Sequence, residues 1–159
     1  MKFNQAVLVI GNLSHLTAYR ITQTSAMDRH ETNQTGHTRH QGSAKTATQL
    51  ELIKEYNYHE ARQKTGELLT DQAGNFNNAS GENHNLETEM VKRGLKKISE
   101  DISDIIHSTT PDSWYLAFPK QTHQQLIDLL TPQTQACLKK SLPLDLTKID
   151  KEKLLSHFY

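Results

Sequence analysis

The most constraining feature of the sequence is a short apolar run near its start. Residues 6–10 read AVLVI without a polar interruption, and Gly11 and Asn12 follow directly. A strand with one covered face alternates apolar and polar residues, whereas a strand with both faces covered is apolar throughout. The run therefore predicts a central strand that packs against other elements on both faces of a sheet.

Length and composition bound the class of protein. The chain has 159 residues, which predicts a single domain over residues 1–159 that buries its own core. Basic and acidic residues number 18 each, and this balance argues against nucleic-acid binding through bulk charge. The single cysteine, Cys137, indicates a reducing compartment. The apolar runs are too short for a signal peptide or a membrane span, so we expect a cytoplasmic protein without membrane insertion.

Two further strands are predicted before the middle of the chain. Residues 14–22 (SHLTAYRIT) alternate and predict a second strand, joined to the first through a turn at Gly11–Ser14. Residues 50–59 (LELIKEYNYH) predict a third strand. Between them, residues 23–49 are rich in Thr, Gln and His and almost free of large apolar side chains. We expect a long polar loop or a projecting ribbon there.

The strongest helical pattern covers residues 85–107, where Leu, Met and Ile recur at spacings of three and four. Pro111 ends this pattern. Gly94 lies inside it, and we interpret this glycine as a point of close packing on the sheet. The acidic residues of the helix, which we expect on a solvated face, are Glu87, Glu89, Glu100, Asp101 and Asp104.

The last third of the chain alternates between strands and helices. SWYLAFP (113–119) predicts a fourth strand, and residues 120–130 predict a helix that buries Leu126, Ile127, Leu129 and Leu130. Thr131–Pro132 starts a turn or a short helical piece. Leu138 to Leu144 predicts a fifth strand, at an edge because of Pro143. The tail predicts a final helix with Asp150 as its N-cap.

The order of these elements predicts an α/β fold. We expect one mixed sheet of about five strands with helices on both faces, in the order βββαβαβα. This is the element order of ribonuclease H-like folds.

The sequence lacks the residues that several common catalytic and ligand-binding sites require. A two-metal nuclease needs converging carboxylates, but the first strand ends in Asn12 and the fourth carries no acid after Asp112. His37 and His40 lack the rigid cysteine or histidine frame of a zinc site. Cys137 lies between Ala136 and Leu138 and is typical of a small buried hydrophobe. No glycine-rich phosphate loop is present. We therefore expect neither a metal nor a cofactor.

A short basic cluster lies on the predicted long helix. Its members are Lys92, Arg93, Lys96 and Lys97. Their spacing predicts one exposed edge that an anionic partner such as RNA would contact. The alternative is a solvated face on which these cations pair with Glu89 and Glu100.

Four segments in order resemble the bacterial host attachment protein family, described as required for attachment to host cells. The first two are the opening strand with SHLTAYRI, and HEARQKTGELLTDQAGNF. WYLAFPKQTHQQLIDLL is similar to the family's strand, Ala-Pro-Pro turn and Leu-rich helix. LPLDLTKIDKEKLLSHF is similar to its Asp-Leu-Thr stretch and final helix. Asn12 stands where the family often has Asp, while Gln72 and Asn75 replace two arginines of its Asp-Arg-x-Gly-Arg segment.

This family, in turn, distantly resembles the middle domain of archaeal and eukaryotic peptide-chain release factors. In those proteins the loop before the long helix carries a Gly-Gly-Gln tripeptide that places water for peptidyl-tRNA hydrolysis. The corresponding segment here, residues 71–85, contains no such tripeptide. The resemblance therefore implies the fold and contact with ribosome or RNA, but not hydrolysis.

Together these features predict a non-enzymatic binding protein that contacts ribosome, RNA or a protein partner. The expected contact residues are Asp71, Gly74, Asn75, His84, Lys92, Arg93, Lys96 and Lys97. The alternative is a hydrolase or nuclease, which requires His59, Asp71 and His84 to converge in a pocket. A self-associating structural module is a third hypothesis.

Overall fold

Five strands form one mixed sheet in the computed structural model of the protein. The structure describes residues 5–24, 47–58 and 80–159, without the side chains of residues 24 and 80–87. In chain order the elements are β1 (Ala6–Gly11), β2 (His15–Thr24), β3 (Ala47–Asn57), α1 (Ser80–Thr109), β4 (Trp114–Ala117), α2 (Lys120–Leu129), α3 (Pro132–Ala136), β5 (Leu138–Leu142), α4 (Lys151–Leu154) and a 3₁₀ turn (Leu155–Phe158). The predicted α/β class is confirmed.

The sheet has the strand order β3-β2-β1-β4-β5. β1 pairs antiparallel with β2, and β2 pairs antiparallel with β3. β1 and β4 are parallel, as are β4 and β5. The predicted edge position of β5, which Pro143 follows, is therefore confirmed.

β1 lies at the centre, and every one of its residues is buried. Val7 and Val9 point to one face, where they join Trp114 and the isoleucines of α1 in one core. Leu8 points to the opposite face, into a second core. The prediction of a strand covered on both faces is confirmed, because successive side chains of a strand alternate between faces.

The two faces are covered by different amounts of helix. The long helix α1, together with α2, covers the first face with residues such as Ile98, Ile102 and Leu126. The second face is covered by the C-terminal segment, whose Leu154 and Phe158 enter the core. The Phe158 ring meets the Tyr115 ring edge-on, with a centroid distance of 5.8 Å.

The ends of several elements differ from the predictions. β2 and β3 pair as far as Thr24 and Ala47, so both strands extend into the segment predicted as a polar loop or a projecting ribbon. Main-chain hydrogen bonds hold such a ladder without apolar side chains. α1 begins at Ser80, ahead of the predicted residue 85, because helix formation propagates from a stable core-facing part into polar flanks. Residues 25–46 and 59–79 lie outside the described part.

Two side-chain predictions were wrong, and a third was correct for the position of the residue but not for a side-chain contact. Leu129 is 45% exposed, although it was expected in the core. Asp101 is only 4% exposed, although it was expected on a solvated face. Asp150 stands at the N-cap of α4, but its side chain makes no capping hydrogen bond. Each difference depends on a neighbour that is remote in sequence or on the exact rotation of a helix.

Gly11 of β1 and Gly94 of α1 have different surroundings. A Cβ atom on Gly11 would lie 2.6 Å from Leu16 Cδ1 and 3.1 Å from the carbonyl oxygen of His15. A Cβ atom on Gly94 would meet only Leu13 Cδ2, at 4.0 Å. The close packing expected at Gly94 is therefore absent, whereas Gly11 does allow a close approach.

These surroundings predict opposite effects of the same substitution. Gly11→Ala overpacks the end of β1 and should cost about 2 kcal/mol, which lowers the melting temperature by about 4–8 °C. Gly94→Ala should raise it by about 2–4 °C, because alanine favours helix by up to ~1 kcal/mol. Thermal unfolding followed by circular dichroism measures both. A stabilised Gly11→Ala variant would contradict the packing at β1.

Candidate binding groove between the long helix and α2

α1 and α2 form the two walls of a groove with a volume of about 720 Å³. Its apolar lining comes from Val91 and Leu95 of α1 and from Leu129 of α2. Leu95 belongs to the core, while Leu129 is the exposed leucine of its helix. Leu95 is part of the row of α1 side chains that faces the core. The groove lies beside this row, where α2 leaves the neighbouring residues of α1 uncovered.

Three cations of the predicted cluster line this groove: Lys92, Arg93 and Lys96. Lys92 Nζ lies 3.8 Å from Glu89 Oε1, and both side chains are largely exposed. Such an exposed pair contributes little, about 0–1 kcal/mol. Arg93 and Lys96 make no ion pair with a described residue. We call this feature, with its cations and its three apolar residues, the basic groove.

The α2 wall of the basic groove is polar but nearly uncharged. Its one acidic residue is Asp128, whose carboxylate accepts a hydrogen bond from Gln124 at 2.9 Å. Thr122 also lines this wall and is 8% exposed. Its hydroxyl has no hydrogen-bond partner among the described residues. The groove therefore carries a net positive charge and one unsatisfied polar group.

Lys97 lies away from the basic groove. Its Nζ atom donates to Asp101 Oδ1 at 3.2 Å, and the Tyr58 hydroxyl donates to Asp101 Oδ2 at 2.6 Å. The hydrogen bond and the charge of Asp101 raise the pKa of Lys97. Burial, followed by the hydrogen bond to Asp101, raises the pKa of Tyr58. The four predicted cations therefore divide into three on the groove and one that neutralises a buried carboxylate.

Removal of the Tyr58 hydroxyl should destabilise the protein. Tyr58→Phe leaves the buried Asp101 carboxylate with one partner fewer, at a cost of about 1–3 kcal/mol. Chemical denaturation should show a lower midpoint with an unchanged slope. Tyr56→Phe is the matched control, because the Tyr56 ring stacks on Tyr58 and its hydroxyl makes no hydrogen bond to a described residue. Equal midpoints for the two variants would argue against the role of this hydrogen bond.

A second polar cluster joins the carboxyl end of β1 to the C-terminal segment. Asn12 Oδ1 accepts from the backbone N–H groups of Ser14 and His15, at 2.8 and 2.9 Å. Asn12 Nδ2 donates to Asp145 Oδ2 and to Thr147 Oγ1, both at 3.2 Å. Burial alone would raise the pKa of Asp145, but hydrogen bonds from Thr147 and Asn12 outweigh it and hold this pKa below its usual value.

These contacts predict a reversal of pH dependence in one variant. In the native protein the lowered pKa of Asp145 stabilises the fold above its unfolded pKa, and this contribution is lost as the pH falls through the folded pKa. Asn12→Asp places a second carboxylate beside Asp145 and should cost about 1 kcal/mol at neutral pH. Its protonation on acidification relieves the repulsion, so the deficit should shrink toward pH ~4.

Urea unfolding between neutral and acidic pH measures this difference. Asn12→Ala serves as the control, because it removes the amide without adding a charge. A deficit of Asn12→Asp that stays constant with pH, or that Asn12→Ala reproduces, would refute the electrostatic explanation.

The described residues do not test the remaining predicted site residues. Asp71, Gly74 and Asn75 lie outside the described residues, as does His59. His84 lies on α1, not in a loop as predicted, and its side chain is not described.

Within the described residues no three histidine, cysteine, aspartate or glutamate side chains form a metal-binding group. Among these residues no helix is both long and apolar enough to span a bilayer.

The sequence missed two parts of these sites. Leu129 and Thr122 belong to the groove, but the neighbouring leucines 129 and 130 hide which of them faces the core. Asn12 and Asp145 are 133 positions apart, so no local pattern connects them. The available signal was that Asn12 and Asp145 each follow a predicted strand. The carboxyl ends of parallel strands lie at the same edge of a sheet, so polar side chains there come close together.

The fold and the groove define the class: a single-sheet α/β domain with a basic groove beside its longest helix. A family model described as "Protein required for attachment to host cells" matches residues 7–158. The chain therefore belongs to this host attachment family, and the family resemblance predicted from the sequence is confirmed. No curated protein matches the chain.

Proposed function

We propose that this protein acts by binding a partner molecule through the basic groove and not by catalysis. The observation that supports this proposal is the groove itself, where three cations border an apolar surface. Arg93 and Lys96 form no ion pair with a described acid, so their charges are available to an anionic partner. Membership of the host attachment family is consistent with a role in attachment.

The basic groove differs from an ordinary solvated helix face. On such a face, cations pair with acids at spacings of three or four along the same helix. Here only Lys92 has such a pair with a described acid, and the 3.8 Å separation makes it weak. In addition, Leu129 is exposed and Val91 is partly exposed beside these cations, whereas a purely solvating face carries polar side chains.

Contact with ribosome or RNA, which the release-factor likeness implies, stays a prediction. The cations of the groove support contact with any anionic surface. Its apolar lining favours a protein surface over a phosphate backbone, since phosphates gain nothing from leucine and valine side chains. The predicted contribution of residues 71–85 concerns mainly the part of the chain outside the described residues.

A comparison of charge-reversal variants tests this function. Immobilised native protein, Lys96→Glu and Lys139→Glu are used to capture partners from cell lysate, with and without nuclease treatment. Lys139 is an exposed cation on β5 that does not line the groove, and so it provides a matched control. We expect Lys96→Glu to lower the yield of the captured partner several-fold, and Lys139→Glu to leave it unchanged.

Nuclease treatment separates the two kinds of partner. A partner that survives it is a protein, whereas one that is lost with it is held through RNA. Equal capture by native protein and Lys96→Glu, in both conditions, would refute a function of the basic groove.

A further inference from the structure

We infer that the basic groove receives an acidic amphipathic helix of a partner protein. This inference rests on the proposed function and names the chemistry of its partner. Apolar side chains of the incoming helix lie on Val91 and Leu129, and its carboxylates reach Lys92, Arg93 and Lys96.

The shape fits side chains that enter from a helix. The groove runs between two helices and has a volume of about 720 Å³, within the range of about 300–1,000 Å³ that holds a compact ligand. This space takes a few anchoring side chains and not a whole helix. A helix presents such anchors at spacings of three, four and seven residues along one stripe, which is the common way in which a groove recognises a helix.

The apolar lining gives the partner its anchor contacts. Leu129 leaves 45% of its surface exposed, and Val91 is half-buried beside the fully buried Leu95. Burial of this remaining surface by leucine-type side chains is favourable in proportion to the apolar area removed from water. A partner with charges alone would leave Leu129 and Val91 in contact with water.

The charge of the groove selects an acidic partner. Three cations lie on or beside the α1 wall, and the one acid of the α2 wall, Asp128, already accepts from Gln124. Carboxylates flanking the apolar stripe of the incoming helix therefore meet complementary charges on one side. A basic helix of the same shape would meet like charges, which disfavours association.

The lining residues argue against single-stranded RNA as the occupant. Proteins that bind such strands stack the bases on aromatic side chains beside a positive channel. None of the described residues that line the groove is aromatic. RNA therefore enters the test as the competing outcome.

Thr122 supplies a stability control for the α2 wall of the groove. Its hydroxyl lies in the α2 wall without a described partner, and such a buried group is destabilising in the free protein. Thr122→Val keeps the shape and removes the hydroxyl. We expect this variant to be at least as stable as the native protein, so a change in binding would not result from unfolding.

A designed peptide provides the probe. It has about 15 residues, with leucines at helical spacing and glutamates on both flanks, and a side-chain cross-link holds it helical. A second peptide replaces the leucines with serine, and a third replaces the glutamates with lysine. A single-stranded RNA oligomer completes the set. Fluorescence anisotropy measures each affinity at ionic strengths of about 0.01 and 1 M, where the Debye length is about 30 and 3 Å.

We expect the leucine and glutamate peptide to bind most tightly and to keep part of its affinity at high salt. Lys96→Glu should weaken it about tenfold at low salt, and Leu129→Ser about fivefold at both salt concentrations. Lys139→Glu should leave the affinity unchanged. This pattern requires both the charge and the apolar surface of the groove.

Three results would overturn the inference. The first is binding of the serine peptide as tightly as the leucine peptide. The second is native affinity of the Leu129→Ser variant for the leucine peptide. The third is tighter binding of RNA than of every peptide. Each of these leaves the proposed function intact if Lys96→Glu still impairs capture from lysate. Unimpaired capture, in contrast, refutes the proposed function whatever the peptides do.

Discussion

Everything in this fold depends on the burial of β1 on both of its faces. Its alternating side chains belong to two separate cores, so neither face is stable without its own cover. The first core requires the long helix α1, and the second requires the C-terminal segment around Phe158. Because apolar burial is the main favourable contribution to folding, these two covers fix which helix lies on which side. The basic groove follows from this, since it forms where α1 extends past the cover that α2 provides.

Polar contacts then fix the parts that the cores leave undetermined. Asp101 lies under the end of β3, where Tyr58 and Lys97 satisfy its carboxylate. Asn12 ties the end of β1 to Asp145. A buried carboxylate or a turn amide tolerates few alternative partners, because an unsatisfied group is costly. These contacts therefore set the position of chain segments that apolar packing alone would allow to shift.

The sequence predicted the elements whose burial is periodic and local. The unbroken run of β1 and the isoleucine spacing of α1 each repeat a pattern long enough to identify the element and its covered face. The beginning of α1 at Ser80 was not predictable, because polar residues there follow a helix that is stabilised further along the chain. The buried Asp101 was missed because Tyr58 is 43 residues away. For the site, the presence of the cations was predictable from the sequence. It was not predictable that Arg93 lines the groove and Lys97 does not, because this depends on what each side of α1 contacts.

The unequal covering of the two faces has a consequence for folding during synthesis. β1 precedes every other described element along the chain, yet the second core is completed only by Leu154, Leu155 and Phe158. While the ribosome still encloses this segment, the side chains of Leu8, Ile10 and Tyr115 have no helical cover. Because neither face is stable without its cover, we expect the sheet to complete its folding only after residue 158 has emerged from the ribosome.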